Sequence, residues 1–329
     1  MNVFAAATGI GSWPGVAPRQ ASEIVVGELH RLPHLVELPD RGVGADLIGR
    51  AAALLVDIAV DTVPRGYRIT ARAGSVVRRA VSMLGEDIDA LEEAWEKAGG
   101  RADGRAVKVQ APGPITLAAA LELANGHRAI TDAGAVRDLA GSLAEGVARH
   151  REAVASRLAT TVVVQFDEPL LSAALAGRLS GVTELNPVHP VDEAVAGGLL
   201  DDCVTRIGGP VLLHCRAVPW NVLQRSSIDA IALDPSNLGE GDLDGLGQFL
   251  DSGRTAVLGL IPSTEPARCP AADEIAAAAA AITDGLGFPR SVIDAQVGIS
   301  PAGGLAAASA GWARSAIGLA QLAVASQLG

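Results

Sequence analysis

The sequence is short of several features that would announce a function class. Cysteine occurs only at Cys203, Cys215 and Cys269, an odd number at wide spacing with no C-x-x-C pair. That excludes a disulfide framework and suits a reducing, cytoplasmic setting. Lysine is confined to Lys97 and Lys108, every other basic residue is arginine, and the net charge is -11. A chain so acidic offers no groove for nucleic acid. No apolar run is long enough to span a bilayer: Ile275 to Ile282 is too short, and the C-terminal stretch is broken by Arg314, Ser315 and Gln321. The start, Met1-Asn2-Val3-Phe4-Ala5, lacks the basic and apolar segments of a signal peptide. No G-x-G-x-x-G follows the first apolar run, which argues against an open dinucleotide-binding sheet.

What the chain has in quantity is apolar residues, 49% against 19% charged, enough for a large core in 329 residues. Short apolar runs recur, each closed by a turn and followed by a helical pattern. The runs are Ala5 to Gly11, His34 to Leu38, Ala106 to Gln110, Thr161 to Phe166, Val211 to Leu213, Ala230 to Leu233, Ala256 to Ile261 and Val297 to Ile299. Runs of this kind read as parallel strands buried on both faces. Helices are expected from about Pro18, over Ala45 to Val60, over Val76 to Ala98, and after each later strand up to Ser309 to Leu328. Thr62 to Arg72 reads as an extended, turn-rich excursion. The pattern predicts an α/β fold, a (β/α)8 TIM barrel formed by residues 1–329 as one domain, with a helical insertion after strand 2.

In such a barrel the chemistry sits at the C-terminal ends of the strands. Those ends carry Ser12, Glu37, the Gly113-Pro114 turn, Asp167 with Glu168, His214, Asp234, Pro262 and Pro301. Carboxylates, a histidine and tight turns thus converge on one rim. The plainer reading is that Gly11 and Ser12 make a turn and that Glu168 caps the helix after it.

The same segments resemble the catalytic barrel of cobalamin-independent methionine synthases, in its short single-barrel form. The matching pieces are Ile10-Gly11-Ser12-Trp13-Pro14, Val36-Glu37-Leu38-Pro39, Gly113-Pro114-Ile115-Thr116, Gln165-Phe166-Asp167-Glu168-Pro169, the His214 strand, Ala230 to Asp234, and Ser300-Pro301-Ala302-Gly303-Gly304-Leu305. The resemblance implies methyl transfer from a methylated folate to homocysteine activated by zinc. It implies that Ser12 holds the amino-acid backbone, that Glu37 and Asp167 hold the amino group, and that His214 and Asp234 are metal ligands. The chain departs from the family pattern where Arg216 and Gly303 stand in place of two cysteines.

Cys215 is a poor substitute, because strand side chains alternate and the residue sharing a face with His214 is Arg216. Two ligands are fewer than zinc takes, and a fixed cation beside them is unfavourable. Two readings follow. One is a methyltransferase with an altered zinc site. The other is a barrel without zinc chemistry that binds an amino acid or a pterin-like anion, with Arg216 on a carboxylate.

Overall fold

The computed structural model describes residues 2–100, 104–182 and 187–327. Six parallel strands form the central sheet in chain order, each beside the last, and the sheet curls into a half-barrel. In the numbering used here β1 (Ala59–Val63), β2 (Gly66–Thr70) and β4 (Leu121–Glu122) make a small separate sheet. The central sheet is β3 (Ala106–Pro112), β5 (Thr161–Asp167), β6 (Val211–His214), β7 (Ala230–Leu233), β8 (Thr255–Ile261) and β9 (Val297–Pro301). Helices between successive strands return the chain to the same end of the sheet, as parallel pairing requires.

The first two expected strands are more irregular than their sequence suggests. Each makes isolated parallel bridges: Ala7 with Ile299 of β9, Ser12 with Glu37, and His34 with Lys108 of β3. Backbone bonds support these contacts, from Thr8 N to Ile299 O at 3.1 Å, from Glu37 N to Gly11 O at 3.1 Å and from Leu35 N to Lys108 O at 2.8 Å.

Period-2 alternation sorts the strand side chains into two cores. Ala106, Val163, Leu212, Ala230 and Val257 form one cluster with Phe4, Ala6 and Ile10 inside the curl. Val107, Val162, Val164, Leu213 and Ile231 belong to the larger cluster that packs against the helices. Continuing the inner set along β3, β5 and β6 brings Lys108 and Gln110, then Gln165 and Asp167, then His214 to the inner face. The floor of the curl is therefore apolar and the layer above it polar.

Several expected boundaries move. The helix expected over Ala45 to Val60 is helical only at Leu47–Ala51, where Asp46 caps the N–H groups of Ile48 and Gly49. The chain then turns at Asp57, which has a φ of 59°, and enters β1. Thr62 to Thr70 of the expected excursion belong to an antiparallel hairpin, with Val63 opposite Gly66. The insertion is thus a short helix, a hairpin and the long helix Ser75–Lys97, not helix alone. Leu121 and Glu122, expected to end a helix, pair in parallel with β2. A helix over Arg290–Gln296 was not expected from the sequence. The last helix spans Ala310–Gln327, and Leu328 lies outside the described residues.

Candidate functional site

The polar layer begins with a buried lysine. Lys108 is fully buried on β3, and its ammonium donates to Gly9 O at 2.7 Å, to Ile10 O at 3.4 Å and to the Gln165 amide oxygen. Burial pulls its pKa down to about 7, against the opposing influence of Asp167 and Glu37. Beside it His34 bonds Leu35 O through Nδ1 at 3.1 Å, and burial holds it neutral with a pKa of about 3. Gly9 lies against the His34 ring so closely that a Cβ there would fall 2.3 Å from Nε2. Lys108 and Gln110 escaped notice in the sequence, although two polar residues two apart in an apolar strand are its available sign.

Above the lysine, Gln165 Nε2 donates to Ile10 O at 2.7 Å and to Asp167 Oδ1 at 2.8 Å. Asp167 Oδ1 also lies 2.6 Å from His214 Nδ1. The pairing of Asp167 with His214 across β5 and β6 sets this contact, because both side chains leave the same face. His214 Nδ1 is the donor to the carboxylate, which leaves Nε2 for the space above the strands.

Glu37 occupies the adjoining side. Its backbone pairs with Ser12, and its carboxylate lies 3.5 Å from Arg50 Nε. Burial pushes the Glu37 carboxyl up to about 7; Arg50 opposes this and the nearby Asp167 charge adds to it. Arg50 is held in turn by Asp87 at 2.6 Å, a carboxylate that also takes Arg41 at 2.6 Å. Asp87 comes from the long helix of the insertion, so that helix braces the site through a buried ion network.

Gln110 completes this group. Its Nε2 donates to Leu35 O at 3.0 Å, and it sits against Gly11 alongside Glu37: a Cβ on Gly11 would lie 2.5 Å from Gln110 Nε2 and 3.1 Å from Glu37 Oε2. The Gln110 amide oxygen is buried without a hydrogen-bond partner. A buried acceptor left unmatched is costly, and it marks where a donor belongs.

Ser12 faces the last turn of the sheet. Its carbonyl accepts from Leu305 N at 3.0 Å, and a Cβ on Gly304 would fall 2.0 Å from its hydroxyl. Glu168 has a structural role. It is buried and accepts from Ile115 N at 2.9 Å, Thr116 N at 2.8 Å and Thr116 Oγ1 at 2.6 Å. It therefore caps the helix Pro114–Ala120 that precedes it, not the helix after it. Burial raises its pKa to about 7.

A cavity of about 320 Å³ opens over the strand ends next to this group, lined by His214, Arg216, Asp234, Asn237, Ser263 and Gly303 among others. The strand β6 ends at His214, so alternation does not carry on to the next two residues, and both line this cavity: Cys215 is buried, with its thiol pKa pushed up by burial and Glu168, while Arg216 is exposed. Asp234 caps its own turn. Its Oδ1 accepts from Ser236 N at 2.9 Å and Ser236 Oγ at 2.7 Å, and its Oδ2 from Asn237 Nδ2 at 3.2 Å. Cys203 is buried in a helix and Cys269 is exposed on a loop.

The model of the catalytic domain of cobalamin-independent synthases matches residues 4–326. The chain belongs to that family. A B12-independent methionine synthase from Shewanella sp. W3-18-1, solved in complex with selenomethionine, superposes with a TM-score of 0.62 at 12% identity over 98% of this chain and 97% of that one. A methyltransferase from Methanosarcina mazei gives 0.57 at 13% identity, over 98% and 91%. At such identities these likenesses concern the fold. No functionally curated protein matches the sequence.

The zinc implied by the family resemblance does not fit the residues present. Among the described residues no three His, Cys, Asp or Glu side chains gather as a metal would need. At the cavity His214 offers one nitrogen, Cys215 lines the wall with a buried thiol whose pKa is pushed up, Asp234 is engaged in its turn, Gly303 has no side chain and Arg216 adds a fixed positive charge. Among the described residues no helix is long and apolar enough to cross a membrane.

Proposed function

We propose that this chain is a methyltransferase-type (β/α)8 barrel whose pocket takes a homocysteine-like amino acid as methyl acceptor. The methyl donor is a methylated folate or a comparable small molecule. A closed barrel is supported by the isolated bridges of Ala7 with Ile299, Ser12 with Glu37 and His34 with Lys108, which link the two edges of the six-stranded sheet through the first two segments.

This reading is supported by the neighbouring carboxylates of Glu37 and Asp167 and by Gln110, which lies beside Glu37 at Gly11 and whose amide oxygen is buried without a partner. A protonated α-amine has three N–H donors and one positive charge, which is what such a group of acceptors can satisfy. The Lys108 ammonium cannot serve them, because its bonds already go to Gly9, Ile10 and Gln165. We assign the α-carboxylate to Ser12, whose backbone is bridged to that of Glu37. That the Shewanella relative was solved with selenomethionine agrees with an amino-acid pocket in this fold.

The residues present position and desolvate the acceptor. Fixing it by its amine and carboxylate leaves the side chain to run toward His214, and alignment with the donor then supplies rate by proximity. Calorimetry tests the reading. The protein should bind l-methionine and l-homocysteine, and the analogue of methionine lacking the amine should bind at least tenfold more weakly. Glu37→Gln should remove most of that difference. Equal binding of the amine-free analogue would sink the assignment.

A further inference from the structure

Beyond the acceptor group, the cavity over β6 and β7 has the wrong polarity for a metal and the right one for an anion. We propose that it is an anion subsite centred on Arg216, receiving a negatively charged group at the end of the ligand's side chain. This rests on the amino-acid pocket proposed above and specifies its distal end.

Arg216 lines the cavity, and among the described residues its side chain makes no hydrogen bond or ion pair. An arginine at a strand end usually finds a carboxylate. Here the neighbouring carboxylate, Asp234, instead satisfies Ser236 and Asn237 and makes no ion pair with Arg216. Asp167 Oδ1 takes His214 and Gln165 and makes no ion pair with Arg216. Ser263 adds a hydroxyl beside Gly303, whose Cβ would lie 3.3 Å from Ser263 Oγ. The cavity thus presents a free cationic fork, a hydroxyl and an imidazole edge.

A guanidinium fork matches an oxyanion with two parallel hydrogen bonds, and its charge also favours a thiolate over a thiol. On this reading the ligand spans two poles on either side of the Asp167–His214 contact. Acceptors take the amine at one end and Arg216 takes an anion at the other. The ligand class is an α-amino acid whose side chain ends in a carboxylate or a thiolate.

Three ligands identical at the α-carbon separate these possibilities: l-glutamate, l-homocysteine and l-methionine, titrated into the metal-free protein. The expected result is at least tenfold tighter binding of glutamate or homocysteine than of methionine, with Arg216→Gln reducing the difference to within about twofold. Preference for glutamate identifies a carboxylate. Preference for homocysteine, with heat varying with buffer as a proton is released, identifies a thiolate. Methionine binding as tightly as both would overturn the anion subsite while leaving the amino-acid pocket standing. A uniform weakening of all three ligands by Arg216→Gln would also overturn it, since Arg216 would then hold the α-carboxylate. Stoichiometric zinc uptake that His214→Ala abolishes would show a metal site and overturn it too. No binding of any of the three would overturn both readings together.

Discussion

Replacing Asp87 by alanine should cost the protein more than any other single change in the polar network, and the structure sets the size. Asp87 is completely buried. Its Oδ1 lies 2.6 Å from Arg41 Nη2, and its Oδ2 lies 2.6 Å from Arg50 Nη1. Burial raises its pKa while both arginines oppose that, so the folded protein depends on all three charges together. Asp87→Ala leaves two nearly buried guanidiniums with only their longer contacts, Arg41 to Glu86 and Arg50 to Glu37, both at 3.5 Å. Removing one partner from a buried charge group costs about 3–5 kcal/mol. With an unfolding entropy of about 2.1 cal/mol/K per residue over 329 residues, 1 kcal/mol corresponds to about 1.4 °C, so Tm should fall by about 4–7 °C. Differential scanning calorimetry measures this directly. Because Arg50 also faces Glu37, amino-acid affinity should weaken in the same variant at a temperature where it remains folded. Adding Arg41→Met should recover part of the lost stability by removing one of the two cations that lost the close Asp87 contact. A Tm within about 1.5 °C of the unmodified protein would refute the reasoning, because the carboxylate would then not hold the two cations.

Two further outcomes follow from the same geometry. Affinity for an amine-bearing ligand should rise with pH up to about 7, because Glu37, pushed up by burial, accepts a cation only when ionised. Below that point each pH unit should cost close to tenfold in binding, and Glu37→Gln should flatten the profile measured by calorimetry. On the helix Ala133–Leu158, a Cβ at Gly146 would lie 1.6 Å from the Leu54 carbonyl oxygen, whereas Gly141 faces open space. Gly146→Ala should therefore lower stability by about 1–3 kcal/mol, and Gly141→Ala should raise it by about 0.5–1 kcal/mol, both read from urea unfolding midpoints.

The failed helix over Ala45 to Val60 shows where local pattern stops being informative. Leu54, Leu55 and Val56 carry helical spacing, but their backbone is used elsewhere. Leu54 O is the surface on which Gly146 packs, and Val56 O accepts from Ser142 at 2.7 Å. The next residues gain more by pairing with Gly66–Thr70, an antiparallel partner that no local window can weigh.

By itself the sequence determined the parallel strands of the central sheet and which residues share a face. Those follow from apolar runs and a period of two, both local properties. The period stops being a guide past the end of β6 at His214, where Cys215 and Arg216 both line the cavity. The family resemblance pointed to Ser12, Glu37, Asp167 and His214. Tertiary structure decided how these residues are used. Gln165 reaches Ile10 across 155 positions of chain, Arg50 is aimed at Glu37 by an aspartate of the insertion helix, and Gln110 is left with an unmatched acceptor. Asp234 had the right residue type for a metal ligand, but its oxygens close a turn. Whether a carboxylate faces a ligand, a counter-ion or its own backbone depends on what the closing fold brings within 3 Å, and no spacing in the chain encodes that distance.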